Sequence, residues 1–108
     1  MKIIEITDEK ITFDNGTTLT DHHDRDCCEN VYADFKQLKD TDVMTHEFNE
    51  DLEIEGVENA GFRIDKYFIP CYNEQNGYYS SDLSIIIRKS DVEFRTIDIS
   101  EFVEDKEY

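Results

Sequence analysis

Alternation of apolar and polar positions is the dominant pattern of this chain, and it predicts strands first. Residues 2–7 are rich in Ile and β-branched side chains. Residues 10–14 and 17–20 flank Asp14-Asn15-Gly16, and Asn-Gly is a strong hairpin signal because both residues tolerate the positive φ of a type I′ turn. The strongest alternation runs over residues 62–72. It puts Tyr67, Ile69 and Cys71 on one face and Ile64 and Phe68 on the other. Asn76-Gly77 marks a turn, after which Leu83, Ile85 and Ile87 face one way in a strand over residues 83–88. Residues 92–97 give a last strand.

One segment has the other period. Cys28, Val31, Tyr32, Phe35 and Leu38 fall on a single helical face. Asp26 stands at the expected N-cap with Glu29 three positions on, a capping-box arrangement with Asp in place of Ser or Thr. The spacing predicts a helix ending near Lys39, before Asp40-Thr41-Asp42. Ile99, Phe102 and Val103 predict a short C-terminal helix, followed by a frayed tail over residues 104–108. The expected fold class is therefore α+β: an antiparallel β-sheet with one main helix packed on it and a short C-terminal helix. At 108 residues, without a linker or internal repeat, the chain is expected to form a single domain over residues 1–108.

Charge changes this picture. Twenty-seven Asp and Glu stand against eleven Lys and Arg, for a formal net charge of −16. Thirteen aromatic residues and a supply of Ile separate the chain from disordered acidic tails. Direct binding to nucleic acid or to an anionic membrane surface is disfavoured, since phosphates would be repelled and there is no basic stripe. No stretch approaches the ~20 apolar residues of a membrane span, and the first residues lack the apolar core of a signal peptide, so a cytosolic location is expected. The three cysteines, Cys27, Cys28 and Cys71, include an adjacent pair, and reduced thiols are expected.

The acid content peaks over residues 40–59. Asp40, Asp42, Glu47, Glu50, Asp51, Glu53, Glu55 and Glu58 occur there with no Lys or Arg, punctuated by Met44, Phe48, Leu52, Ile54 and Val57. Short strands or loops are expected in this run. These eight carboxylates are the first candidates for contact with a basic partner, with Glu101, Glu104 and Asp105 as a second set. Tyr78 and Tyr79, beside Gly77 and among polar amides, are candidates for the same contact because exposed Tyr is common at interfaces.

A second cluster, residues 21–29, carries His22, His23, Asp24, Asp26, Cys27 and Cys28, all able to ligate a transition metal. The spacing contains neither C-x₂-C nor H-x₃₋₅-H, so a site would need Cys71 or His46 from elsewhere. A structural reading accounts for the same residues: Cys28 on a buried face, Asp26 as a cap, and Asp24 and Glu29 at the positive end of the helix. A nucleophilic Cys27 or Cys28 is opposed by the surrounding carboxylates, which disfavour the thiolate. No phosphate-cradling Gly-rich loop is present.

Two stretches carry a resemblance. Phe13-Asp14-Asn15-Gly16, followed by the run from His23 to Phe35 containing H-D-x-D-C-C-E-x-V-Y-A-D, resembles a family of small uncharacterised proteins of phages and mobile elements. The later Asn73-Glu74-Gln75-Asn76-Gly77-Tyr78-Tyr79-Ser80 resembles that family's second signature, N-x-Q-N-G-Y-Y-S. The resemblance implies a phage-related origin and gives no chemistry. A small, very acidic, phage-related protein is similar in size and charge to anti-CRISPR proteins that mimic DNA, an argument by analogy. The expected function is thus a non-enzymatic inhibitor, without cofactor, of a basic nucleic-acid-binding defence protein such as a CRISPR effector nuclease, acting in the host cytoplasm. Two alternatives stay open: a small metal-binding protein or enzyme built on the His/Asp/Cys cluster, and an acidic interaction domain with some other basic partner.

Overall fold

The computed structural model describes residues 1–22, 31–73, 83–90 and 92–105. Two mainly antiparallel sheets face one another across one apolar core. The first three strands are β1 (Ile3–Ile6), β2 (Lys10–Phe13) and β3 (Thr17–His22), joined as a meander. After them come the short strand β4 (Val31–Ala33), β5 (Ile54–Val57), β6 (Gly61–Ile64) and β7 (Tyr67–Asn73). The chain then adds β8 (Ser84–Lys89), β9 (Val92–Asp98) and β10 (Glu104–Asp105). The first sheet has the order β1-β2-β3-β8-β9. The second has the order β10-β7-β6-β5, with β4 also paired to β7.

This architecture overturns the α+β expectation. Among the described residues there is no α-helix, only 3₁₀ turns at Phe35–Asp40, Val43–Thr45 and Ser100–Phe102. The apolar set assigned to the main helix is used in two other ways. Val31 and Ala33 are buried on alternate positions of β4, where Tyr32 pairs with Tyr72 and Ala33 with Cys71 of β7. Phe35 and Leu38 are then buried three residues apart, the period of a 3₁₀ turn. Apolar residues at these offsets satisfy a helix pattern and a strand-then-turn pattern alike, and pairing with β7 decides between them. The capping-box residues Asp26 and Glu29, and Cys28, lie outside the described residues.

The C-terminal helix is replaced as well. Ser100–Phe102 is one 3₁₀ turn, and Glu104 and Asp105 run parallel to Tyr72 and Asn73 as β10, where a frayed tail was expected. Residues 62–72, expected as one strand, are a hairpin: Ile64 pairs with Tyr67 across Asp65-Lys66, and Asp65 takes a φ of 52°. The Asn15-Gly16 turn also departs from type I′. Gly16 alone takes a positive φ, 87°, and its N–H donates to the carbonyl of Phe13, a three-residue loop with glycine in the left-handed position.

The strand expectations otherwise hold. Leu83, Ile85 and Ile87 are all buried, as are Tyr67, Ile69 and Cys71. The face expected for Ile64 is corrected: across the hairpin it pairs with Tyr67 and is buried with that set, whereas Phe68 alone is exposed. Phe13, Phe48 and Tyr67 form the aromatic centre of the core, with Phe13 and Phe48 edge to face at 5.6 Å. Pro70 occupies the middle of β7, where its missing N–H is tolerated because the pairing changes there. The carbonyl of Pro70 accepts the N–H of Asp34 just past β4, while the next residue, Cys71, donates to Ala60 beside β6.

Candidate functional site

The acidic run of residues 40–59 is pegged to the core and turned outward. Val43, Phe48 and Leu52 are buried, and Met1 exchanges backbone hydrogen bonds with Phe48 (2.7 and 2.8 Å), which holds the run against the first sheet. With these anchors fixed, Asp40, Asp42, Glu47, Glu50, Asp51, Glu53, Glu55 and Glu58 are all exposed. Three of them have partners. Glu47 lies 3.1 Å from the N-terminal ammonium, Glu55 lies 3.2 Å from Arg63 on β6, and Asp42 accepts the Tyr67 hydroxyl at 2.8 Å. The carboxylates of Asp40, Glu50, Asp51, Glu53 and Glu58 have no ion pair or hydrogen bond among the described residues. Unpaired, exposed carboxylates keep their full field available to a partner.

The second acidic set is divided. Glu101 and Glu104 are exposed, and Glu104 with Asp105 contributes backbone to β10. Tyr78 and Tyr79 lie outside the described residues.

Next to the acidic run is a small polar cluster that the sequence did not reveal. The Tyr67 hydroxyl holds the Asp42 carboxyl below its ordinary value, and burial together with that same bond raises the Tyr67 phenol. His46 lies 2.9 Å from Asp65, and its ring meets Phe48 and Tyr67 edge-on at 4.6 and 5.1 Å. Contributions come from the turn at Val43–Thr45 and from the β6–β7 hairpin, distant in sequence, so no local motif marks them. The cluster fixes the acidic run to the second sheet.

For the metal alternative, His23, Asp24, Asp26, Cys27 and Cys28 lie outside the described residues. His22 is exposed at the end of β3, where its backbone pairs with Ser84. Cys71 is fully buried on β7; burial pushes its thiol far above the ordinary value, and the charge of Asp21 adds to this. His46 is engaged with Asp65. Among the described residues, no three His, Cys, Asp or Glu side chains gather as a metal would require.

Strand ends that adjoin or belong to the two signature stretches are neighbours. His22 of β3 pairs with Ser84 of β8, and Val31 of β4 pairs with Asn73 of β7. Asp21, next to His22, links β3 to β4, its carboxylate accepting the N–H of Ala33 at 2.8 Å. On the outside of the first sheet, an open groove of about 800 Å³ is lined by Glu5, Asp8, Glu9 and Asp21 together with Lys10 and Arg88. Arg88 donates to Thr20 at 2.9 Å, so its charge is partly committed within the sheet.

These features define a β-rich, strongly acidic protein of two facing sheets, with its densest negative charge outside the core. Comparison with protein-family models, with curated proteins and with solved structures finds no match to this chain. Among the described residues, no helix is long and apolar enough to cross a membrane.

Proposed function

We propose that this protein is a non-enzymatic inhibitor of a host nucleic-acid-binding defence protein, an anti-CRISPR protein that blocks a CRISPR effector nuclease by standing in for DNA. One observation carries the reading: all eight carboxylates of residues 40–59 point to solvent while Val43, Phe48 and Leu52 hold the run on the core. A rigidly backed row of carboxylates presents negative charge without the entropy cost of ordering a flexible tail. Effector nucleases hold nucleic acid in positively charged channels and read a short DNA motif with Arg side chains, and such surfaces accept carboxylates in place of phosphates. The resemblance of the two signature stretches to phage and mobile-element proteins supports the same reading, as does the total charge of −16. The inhibitor would act in the cytoplasm of the host cell, where the effector works.

The test is guided DNA cleavage by a panel of effector nucleases at low and high salt. Wild-type protein is expected to inhibit at least one of them, less strongly as salt rises. Reversal of Glu50, Asp51, Glu53 and Glu58 to Lys is expected to abolish inhibition. Undiminished potency of that variant would remove the mimicry mechanism, and an absence of inhibition across the panel would remove the target.

A further inference from the structure

β9 closes one end of the first sheet, and among the described residues no strand pairs with its outer edge. Such an edge offers a row of backbone donors and acceptors to another chain, and proteins usually blunt it with charge. Here a bulge at Phe94 and the charges of Glu93, Arg95 and Asp98 supply that protection, with Glu93 and Asp98 bonded within the chain to Thr96 and Ser100, and apolar surface remains beside them. Val92 is 67% exposed and Phe94 52% exposed, although Lys89 covers one face of the Phe94 ring at 4.1 Å. Arg95, the cation best placed to guard the strand, is turned to the carbonyl of Leu52 at 2.6 Å. That bond also brings the acidic run to the side of β9, because Asp51 and Glu53 flank Leu52. From Arg95 to Asp98 the ladder to β8 is regular, the register shift lying at Phe94. This half of the strand keeps an unbroken register with β8.

We propose that the outer edge of β9 is a docking edge for an extended, basic segment of a partner protein, which adds as a further strand. Its backbone bonds along Arg95–Asp98, an apolar side chain packs on Phe94, and its Lys or Arg side chains meet Asp51 and Glu53. The proposal rests on the proposed function in one respect, that the partner is a positively charged protein. Charge selects this occupant over a second copy of the chain, since two molecules of −16 repel.

The probe is a short synthetic peptide of alternating Lys and Val, titrated into the ¹⁵N-labelled full chain, with a Glu/Val peptide as control. Shift changes and slowed amide exchange are expected to concentrate in β9, with affinity falling as salt rises. Phe94→Lys, at an exposed position, is expected to weaken binding about tenfold by placing like charge on the edge. Changes confined to residues 40–59, with Phe94→Lys binding like wild type, would overturn the edge while leaving the acidic surface reading intact. Failure of the Lys/Val peptide to bind, or equal binding of the Glu/Val peptide, would also overturn it, as would concentration-dependent dimerisation lost in Phe94→Lys, which would assign the edge to a second copy. Inhibition of guided cleavage by the wild-type chain, measured separately, decides the broader reading whatever the peptide does.

Discussion

The carboxylate of Asp21, on β3, accepts the backbone N–H of Ala33, on β4, at 2.8 Å. One side chain of the first sheet thereby satisfies a backbone donor of the second, beside the paired ends of β3 with β8 and of β4 with β7. Ala33 is 1% exposed, so with Asp21 in place its N–H has little access to water. Asp21→Ala is expected to destabilise the fold by about 1–3 kcal/mol, the cost of an unmade buried hydrogen bond. Asp21→Asn, which keeps an acceptor, should lose less. Urea unfolding of both variants checks the order, and equal stability of Asp21→Ala and wild type would show that the tie contributes nothing.

Gly61 lies opposite Pro70 with a φ of 153°, and a Cβ there would run into the carbonyl oxygen of Ile69. Neither backbone can move without breaking the β6–β7 ladder. Gly61→Ala is expected to cost on the order of 1–3 kcal/mol or more. The nearest atoms to a Cβ at Gly56 belong to the ring of half-buried Phe102, a side chain rather than backbone. Gly56→Ala should therefore be the milder variant in thermal unfolding, and the reverse order would contradict this account.

Tyr67 and Asp42 make the acidic run pH-sensitive at both extremes. The Asp42 carboxyl is held below its ordinary 3.8 by the Tyr67 hydroxyl, so its contribution is present above that value and is lost as pH falls through the folded pKa. The Tyr67 phenol is raised above 10.0, so its contribution is present below that value and is lost as pH rises through the folded pKa. In Tyr67→Phe, the Asp42 titration followed by NMR should move up toward 3.8. An unchanged midpoint would mean that the bond does not set it.

Cys71 is fully buried and its thiol is pushed far up, first by burial and then by Asp21. The thiolate is the reactive form, so Cys71 should resist iodoacetamide in the native protein and label on unfolding in urea. Peptide-resolved mass spectrometry measures this residue by itself. Labelling of native Cys71 at the unfolded rate would contradict its burial.

Strand content was legible along much of the chain because alternation reports the side of a sheet directly. Leu83, Ile85 and Ile87 went to the core as their spacing required, and so did Tyr67, Ile69 and Cys71. The outward set of the acidic run was legible too, since exposed charge and buried Phe48 and Leu52 follow from hydration alone. The edge position of β9 was not, because an exposed Phe94 reads like any strand aromatic until the sheet order is known.

By itself, then, the sequence determined which side chains are buried along most strands, where the charge lies, and that a turn falls at Asn15-Gly16. The tertiary structure alone decided that Val31, Tyr32 and Ala33 form a strand rather than a helical turn, since their backbone partners, Asn73, Tyr72 and Cys71, lie some forty residues away. It likewise decided that Glu104 and Asp105 form an edge strand along β7, and that Asp42, His46, Asp65 and Tyr67 gather beside the acidic run. A local period measures the side a residue faces, while backbone hydrogen bonds between distant strands fix which of two compatible periods the chain adopts.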